Sequence, residues 1–346
     1  MADFVTMTAP RLALIGCGNI AEFHAPACRE AGFELAAVCS RPGSARLHPF
    51  AERHEIPAVF DSVDSLFLAR DEWDAILIAV AVEETLDVLK ASLAYDAPIL
   101  VEKPVSFRSD ELAPLLQRNL PVIVGYNRRF YKTLQVARNE VLASAPSIAH
   151  LMVPESVRLP SGDGNLTYMR PFFGNSVHAL DLARYVFGPL SVQHVQRATD
   201  KFGEVTGIAA LIETDAGTVL QFTANWGAPA NFSLSLDRPG RRLELKPFEA
   251  ATIFEGMEVR EPTRETPIRS YVPTRIGRID LDDVDSRFKP GFVGQAEALG
   301  RLVRGEDPAP AARLEDAYEA LKLAETLAGR QYSTNIQAKS VGRSGT

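Results

Sequence analysis

The stretch RLALIGCGNIA, residues 11–21, runs a short apolar segment straight into two glycines and a small residue, and no other feature restricts the fold of this chain as much. Five further apolar runs follow before Gly125: ELAAVCS, PAVFDS, AILIAVAV, PILVEK and PVIVGY. Each is apolar on both faces, as strands of a parallel sheet covered on both sides must be. Between them lie helical stretches such as 83–95, where Leu86, Leu89, Lys90 and Leu93 recur at helical spacing. The alternation implies an α/β fold that opens with a Rossmann-type, doubly wound parallel sheet.

Gly16, Gly18 and Ala21 then read as a G-x-G-x-x-A fingerprint. The first glycine permits the tight turn, the second lets backbone approach a pyrophosphate, and the small third residue lets helix and strand touch. Phosphate charge meets the free N–H groups of the following helix, so Gly16, Gly18, Asn19 and Ile20 are expected to bind a dinucleotide. Pro26 falls inside that helix and is expected to kink it. The second strand ends in Cys39-Ser40-Arg41, with no acidic residue to clasp the ribose hydroxyls of NAD. A serine hydroxyl and a guanidinium suit the extra 2′-phosphate, which favours NADP(H) over NAD(H) and adds Ser40 and Arg41 to the cofactor site.

After an expected helix at 131–143 the texture changes. The runs IAHLMV, VQHVQRA, GIAALIET, TVLQFTANW, FSLSLD and RRLELKP succeed one another between about 147 and 261, with turn signals at 215–217 and 238–240. Strands without intervening helices predict a large, mostly antiparallel open sheet. One helix, SVHALDLARYVFG at 176–188, interrupts them and stops at Gly188-Pro189. Further helices are predicted at 291–304 and 313–328, and a fraying tail from Gln331. The expected division is a dinucleotide-binding domain over 1–126 and a C-terminal α/β domain over 127–346 for substrate binding and oligomerisation. A length of 346 residues suits two cores.

Composition narrows the partners. A formal net charge of -7 argues against an extended nucleic-acid surface. No stretch approaches the roughly 18 apolar residues of a membrane span, and MADFVTMTAP has no basic n-region or long apolar h-region, so neither a span nor a secretory signal is expected. Cys17, Cys28 and Cys39 match no zinc spacing, their odd number cannot close a full disulfide set, and the histidines form no ligand pattern, so no metal is expected. A reducing cytoplasm fits this cysteine usage.

Four motifs, IGCGNIA at 15–21, EKP at 102–104, GYNRRF at 125–130 and NSVHALDLARYVFG at 175–188, stand in an order and at distances that resemble the glucose-fructose oxidoreductase, inositol dehydrogenase and MocA-like family. The resemblance covers nearly the whole chain. It implies that Glu102 and Lys103, at the carboxyl edge of the fifth strand, lie beside the nicotinamide. It gives Lys103 contact with cofactor and substrate hydroxyl, and gives His178 the proton exchanged as hydride passes. A lysine partly desolvated beside a cationic ring loses preference for its charged form, which suits a proton relay. The resemblance further implies a cis bond before Pro104, Asn127 and Arg128 at the active cleft, and Arg129 and Phe130 holding the domains together. Tyr168, Arg170 and Asn175 are candidates for the substrate, whereas Trp226 suits packing better.

Two departures stand out. AVAVEET at 79–85 replaces the family's T-P-x-x-x-H, leaving Ala79 and Val80 as an apolar wall of the cofactor site. The family's D-x-G-x-H-x-x-D becomes Gly174, Ser176, His178 and Asp181, so the first carboxylate is missing. Asn175 or Tyr168 are candidates to fill its place. Asp181 either orients the imidazole or serves on the helix surface or as a cap.

The function expected from these residues is an NAD(P)-dependent oxidoreductase that moves a hydride between nicotinamide and a hydroxyl or keto carbon of a sugar, sugar nucleotide or polyol. The alternatives are an inactive NADP(H)-binding sensor or scaffold, motivated by the missing aspartate, and a reductase of a non-sugar substrate. Family analogy and the preference for symmetric association predict a homodimer or homotetramer.

Overall fold

A computed structural model describes residues 9–69, 73–155, 169–201, 203 and 205–329. The chain forms two compact units, Met1–Phe130 with Asp283–Leu321, and Tyr131–Asp282 with Lys322–Thr346.

The first unit is built on strands β1 (Arg11–Ile15), β2 (Glu34–Cys39), β3 (Ala58–Phe60), β4 (Ala75–Ile78), β5 (Ile99–Val101) and β6 (Val122–Val124). All pair in parallel, in the order β3-β2-β1-β4-β5-β6. Every one of the six apolar runs is therefore a strand, and the order reverses between β1 and β4, where an open α/β sheet leaves a crevice at its carboxyl edge. Helices α1 (Ala21–Glu30), α2 (Leu47–Arg53), α3 (Val63–Leu68), α4 (Val82–Ser92) and α5 (Ser109–Leu112) connect the strands. Pro26 lies inside α1 without ending it. Ser62 caps α3 by accepting from the Ser65 N–H at 3.1 Å, as a serine in extended backbone before a helix can.

The second unit carries α6 (Lys132–Ala143), β7 (Ile148–Glu155), the one-turn α7 (Met169–Pro171), a π-helical turn at Phe172–Ser176 and α8 (Val177–Phe187). Seven more strands follow: β8 (Leu190–Thr199), β9 (Val205–Thr214), β10 (Val219–Trp226), β11 (Ser233–Arg238), β12 (Arg241–Leu245), β13 (Ala251–Arg260) and β14 (Ser270–Ile279). The eight-stranded sheet runs β14-β13-β12-β11-β7-β10-β9-β8 and is antiparallel except where β10 meets β7. On β10, Leu220, Phe222, Ala224 and Trp226 point into the core while the residues between them face out. The mixed α/β class with a mostly antiparallel second sheet is thus the one expected.

Two differences have physical causes. ATIFEGMEVR and SYVPTRIGRI form β13 and β14, which the sequence reading did not name; both are largely exposed at one end of the sheet, so they lack the buried alternation that identifies a strand. The chain also returns to the first unit after residue 282, with α9 (Asp283–Arg287), α10 (Phe292–Val303) and the start of α11 (Leu314–Ala328). Ala296, Ala298 and Leu299 of α10 share one core cluster with Leu12, Cys28 and Phe33, and Val124 of β6 bridges to Ala312. The expected division after residue 126 did not include this return: periodicity reveals a buried helix face but not the layer that covers it.

Gly188 closes α8 at φ 78°, and α10 and α11 lie within one residue of the expected ranges. The tail from Gln331 and Tyr168 lie outside the described residues. Among the described residues, no helix is long and apolar enough to cross a membrane, and no group of three His, Cys, Asp or Glu side chains is placed to hold a metal.

Candidate active site

The β1–α1 turn is shaped by its two glycines in different ways. Gly16 has φ +110°, and a Cβ there would lie 2.2 Å from the Ala79 carbonyl oxygen of the neighbouring strand end. A Cβ on Gly18 would meet nothing within 4 Å, which leaves open space where a phosphate needs to approach. No side chain caps α1 at Ile20, so its N-terminal N–H groups suit an anion.

These residues border a cavity of about 700 Å³ in the first unit. Gly16, Gly18, Asn19, Ile20, Ser40, Arg41, Ala79 and Val80, all expected from the sequence, line it together. Ser44 and Arg46 line it as well and were missed; the turn RPGSAR at 41–46 brings a second guanidinium to the same rim, where Arg46 Nη1 donates to Asn19 Oδ1 at 3.2 Å. The glycine cradle and this cationic, hydroxyl-bearing rim fit a dinucleotide. Ala79 and Val80 give the wall its apolar part, and Thr85 Oγ1 donates to Ala81 O within α4 at 3.1 Å.

Glu102 does not line that cavity. It is buried at the end of β5, its Oε1 accepts from His24 Nε2 at 2.7 Å, and its Oε2 accepts from the Lys103 backbone N–H at 3.2 Å. The His24 ring packs on Phe292, with centroids 4.4 Å apart. A Cβ on Gly125 would approach the Glu102 carboxyl to 3.0 Å, so a side chain there would press on that carboxyl. Lys103 is half-buried and the bond to Pro104 is cis.

In the 3-10 turn Asn127–Phe130, Asn127 Nδ2 donates to Pro290 O at 2.8 Å and Arg128 is half-buried. Arg129 grips both oxygens of Asp316 at 3.0 and 3.3 Å, and the Phe130 ring fills the space beside Gly294. Both contacts are made within the first unit, so Arg129 and Phe130 fasten the returning segment.

In the second unit the π-helical turn leads directly into α8, where His178 is buried. Asp181, three residues on, is 1% exposed, which corrects the helix-surface alternative. Asn175 Nδ2 donates to both oxygens of Glu155 at 2.9 and 3.1 Å, and Ser176 Oγ donates to its Oε1 at 2.8 Å. Glu155 went unread in the sequence; its one signal is a glutamate closing an apolar strand, as Glu102 does. Arg170 is exposed, and Trp226 packs edge-on against Phe172 at 5.6 Å.

Residues 10–119 match the family described as oxidoreductases with an NAD-binding Rossmann fold. This segment, which carries the glycine turn and β1 to β5, is what the chain shares with that family. Over a longer stretch, the chain is 25% identical across 294 residues to D-xylose 1-dehydrogenase (NADP(+)) 2 of Haloferax volcanii, covering 82% of this chain and 86% of that one. It is 26% identical over 210 residues to the rhizopine catabolism protein MocA of Rhizobium meliloti, covering 58% and 65%. Among solved structures, a dehydrogenase from Chromobacterium violaceum superposes with a TM-score of 0.73 at 18% identity, over 96% and 99% of the two chains.

In this chain, then, one group of candidates surrounds the nucleotide cavity and a second group lies around Glu102. A third, in the other unit, surrounds Glu155. The chemistry on offer is dinucleotide binding from the first, an amine held at the end of β5 from the second, and from the third a buried imidazole on the helix that follows the turn Glu155 holds.

Proposed function

We propose that the protein is an NADP(H)-preferring dehydrogenase that exchanges a hydride with a hydroxyl or keto carbon of a sugar, sugar nucleotide or polyol. The observation that carries the reading is the glycine-cradled cavity with Ser40, Arg41 and Arg46 at its rim. Guanidinium groups make charge-assisted, bidentate hydrogen bonds to phosphate, and no carboxylate of β2's end competes for the ribose. The likeness to a xylose dehydrogenase described as using NADP(+) supports both the cofactor and the sugar class.

Bound nicotinamide would supply the hydride; the chain's own residues bind it, orient it and handle the proton. In this reading Lys103 polarises the carbonyl during reduction and His178 donates the proton, and both roles reverse in oxidation. Asn127, Arg128, Asn175 and Arg170 are the proposed substrate contacts, as is Tyr168, which lies outside the described residues. Glu102 acts on the cofactor site through Lys103 rather than by touching the nucleotide.

The exposed face of the large sheet carries Ile148, Met152, Leu211 and Val219, and we assign it to self-association as a homodimer or homotetramer, which light scattering of the purified chain would check.

The deciding experiment is a scan of aldoses, nucleotide sugars and inositols with NADP(+) and NAD(+), repeated with Lys103→Ala. Turnover by the wild type, lost in Lys103→Ala while NADPH still binds, is the expected result. Tight NADPH binding without turnover of any of them would favour the sensor reading.

A further inference from the structure

Glu155 closes β7, and every hydrogen bond described for its carboxylate goes to the two residues that lead into the His178 turn. Oε1 accepts from Asn175 and from Ser176, and Oε2 accepts from Asn175. The strand side of this link is rigid: Glu155 sits opposite Trp226 in the parallel ladder, and its carbonyl accepts from the Gly227 N–H at 2.8 Å. Both ends of the link are enclosed, with Glu155 at 7% and Ser176 at 0% exposure, while Asn175 is half-buried. A carboxylate so deep is costly unless satisfied, and hydrogen bonds to a charged acceptor are the stronger kind.

The segment it holds is unusual. Phe172–Ser176 is a π-helical turn, a widened turn that is frequent at functional sites and sets the rotation of the α-helix that follows it. Asn175 stands three residues before His178, so the two share a helix face. Glu155 also lines, with Pro154, a cavity of about 470 Å³ bounded by residues 227–231, all within the second unit. One buried carboxylate therefore joins the wall of a cavity to the turn that carries the imidazole.

We propose that Glu155 is a positioning residue for the active site, holding Asn175 and Ser176 and through them the placement of His178; this rests on the dehydrogenase reading above. Glu155 acts from the end of the strand, outside the helix that carries His178.

The test uses the full-length protein with Glu155→Gln, which keeps the volume and one acceptor, alongside Asn175→Ala and the double variant. With NADP(+) and whichever sugar the wild type oxidises, kcat should fall about 10–100-fold in Glu155→Gln, KM for NADP(+) should stay, and the double variant should be no slower than the worse single. Carbethoxylation by diethyl pyrocarbonate, read at His178 by peptide mass, should quicken several-fold relative to the other histidines. That second reading needs no turnover, so an inactive wild type would overturn the dehydrogenase reading while His178 reactivity still decides this one. Wild-type reactivity at His178 in both Glu155→Gln and Asn175→Ala, or additive losses of kcat, would overturn the proposal.

Discussion

Glu102 Oε1 lies 2.7 Å from His24 Nε2, joining two residues 78 positions apart in the sequence at a buried point beneath the Lys103 backbone. A histidine from α1, the helix that opens on the nucleotide cavity, thereby fixes the strand end that presents the candidate amine. The same glutamate takes the Lys103 N–H, so the residue that follows it in the chain inherits its placement.

Replacing His24 should expose that dependence. His24→Phe keeps a ring against Phe292 and removes the donor, leaving a buried carboxylate short of a partner, and should destabilise by about 2–4 kcal/mol. Urea unfolding measures the loss, and turnover should drop more than NADPH affinity does. Unchanged stability would show that the pair contributes nothing.

The two fingerprint glycines should fail differently. Gly18→Ala meets no protein atom within 4 Å, so its melting temperature should hold, while dinucleotide affinity falls at least about tenfold because the methyl occupies the phosphate's approach. Gly16→Ala combines a backbone at φ +110° with a contact of 2.2 Å to Ala79 O, and should lose at least about 3 kcal/mol of stability. Calorimetry with and without NADPH separates the two.

Cofactor preference should rest on both rim arginines. Arg41→Ala and Arg46→Ala should each raise KM for NADP(+) by about tenfold, the value of one charge-assisted hydrogen bond, and leave KM for NAD(+) within about twofold. Equal losses with both cofactors would instead place the arginines at the shared pyrophosphate.

Burial pushes the Cys28 thiol up to about 12, and burial, aided by the charges of Asp61 and Cys17, does the same for Cys39. An unfolded cysteine ionises near 8.5, so between there and about 12 the folded state binds more protons than the unfolded state. Stability from these thiols is therefore complete below about pH 8 and declines as pH rises through that window. The urea midpoint should fall from pH 8 to pH 10.5, less steeply in Cys28→Ala, and iodoacetamide at pH 8 should leave Cys28 unmodified until the protein unfolds.

Read alone, the sequence determined the strands of the first sheet and the cofactor turn, because both depend on local signals. Apolar runs such as AILIAVAV must be buried on both faces, and a glycine pair after a strand leaves few backbone shapes. Ser40, Arg41, Ala79 and Val80 at the cavity were legible for the same reason, since the crevice position follows from where strands end, whereas Ser44 and Arg46 sit in a turn that no strand end announces. What tertiary structure alone decided are the partners of buried polar groups. His24 looks like one more residue on a helix face until Glu102 is folded against it, and Glu155 looks like a strand terminus until Asn175 and Ser176 arrive from a segment 20 residues away. The strands β13 and β14 escaped for a related reason, as they bury too little to mark their own alternation. Hydrophobic burial is written into the period of a segment, whereas the hydrogen bond that satisfies a buried charge belongs to two segments and exists only once the fold has brought them together.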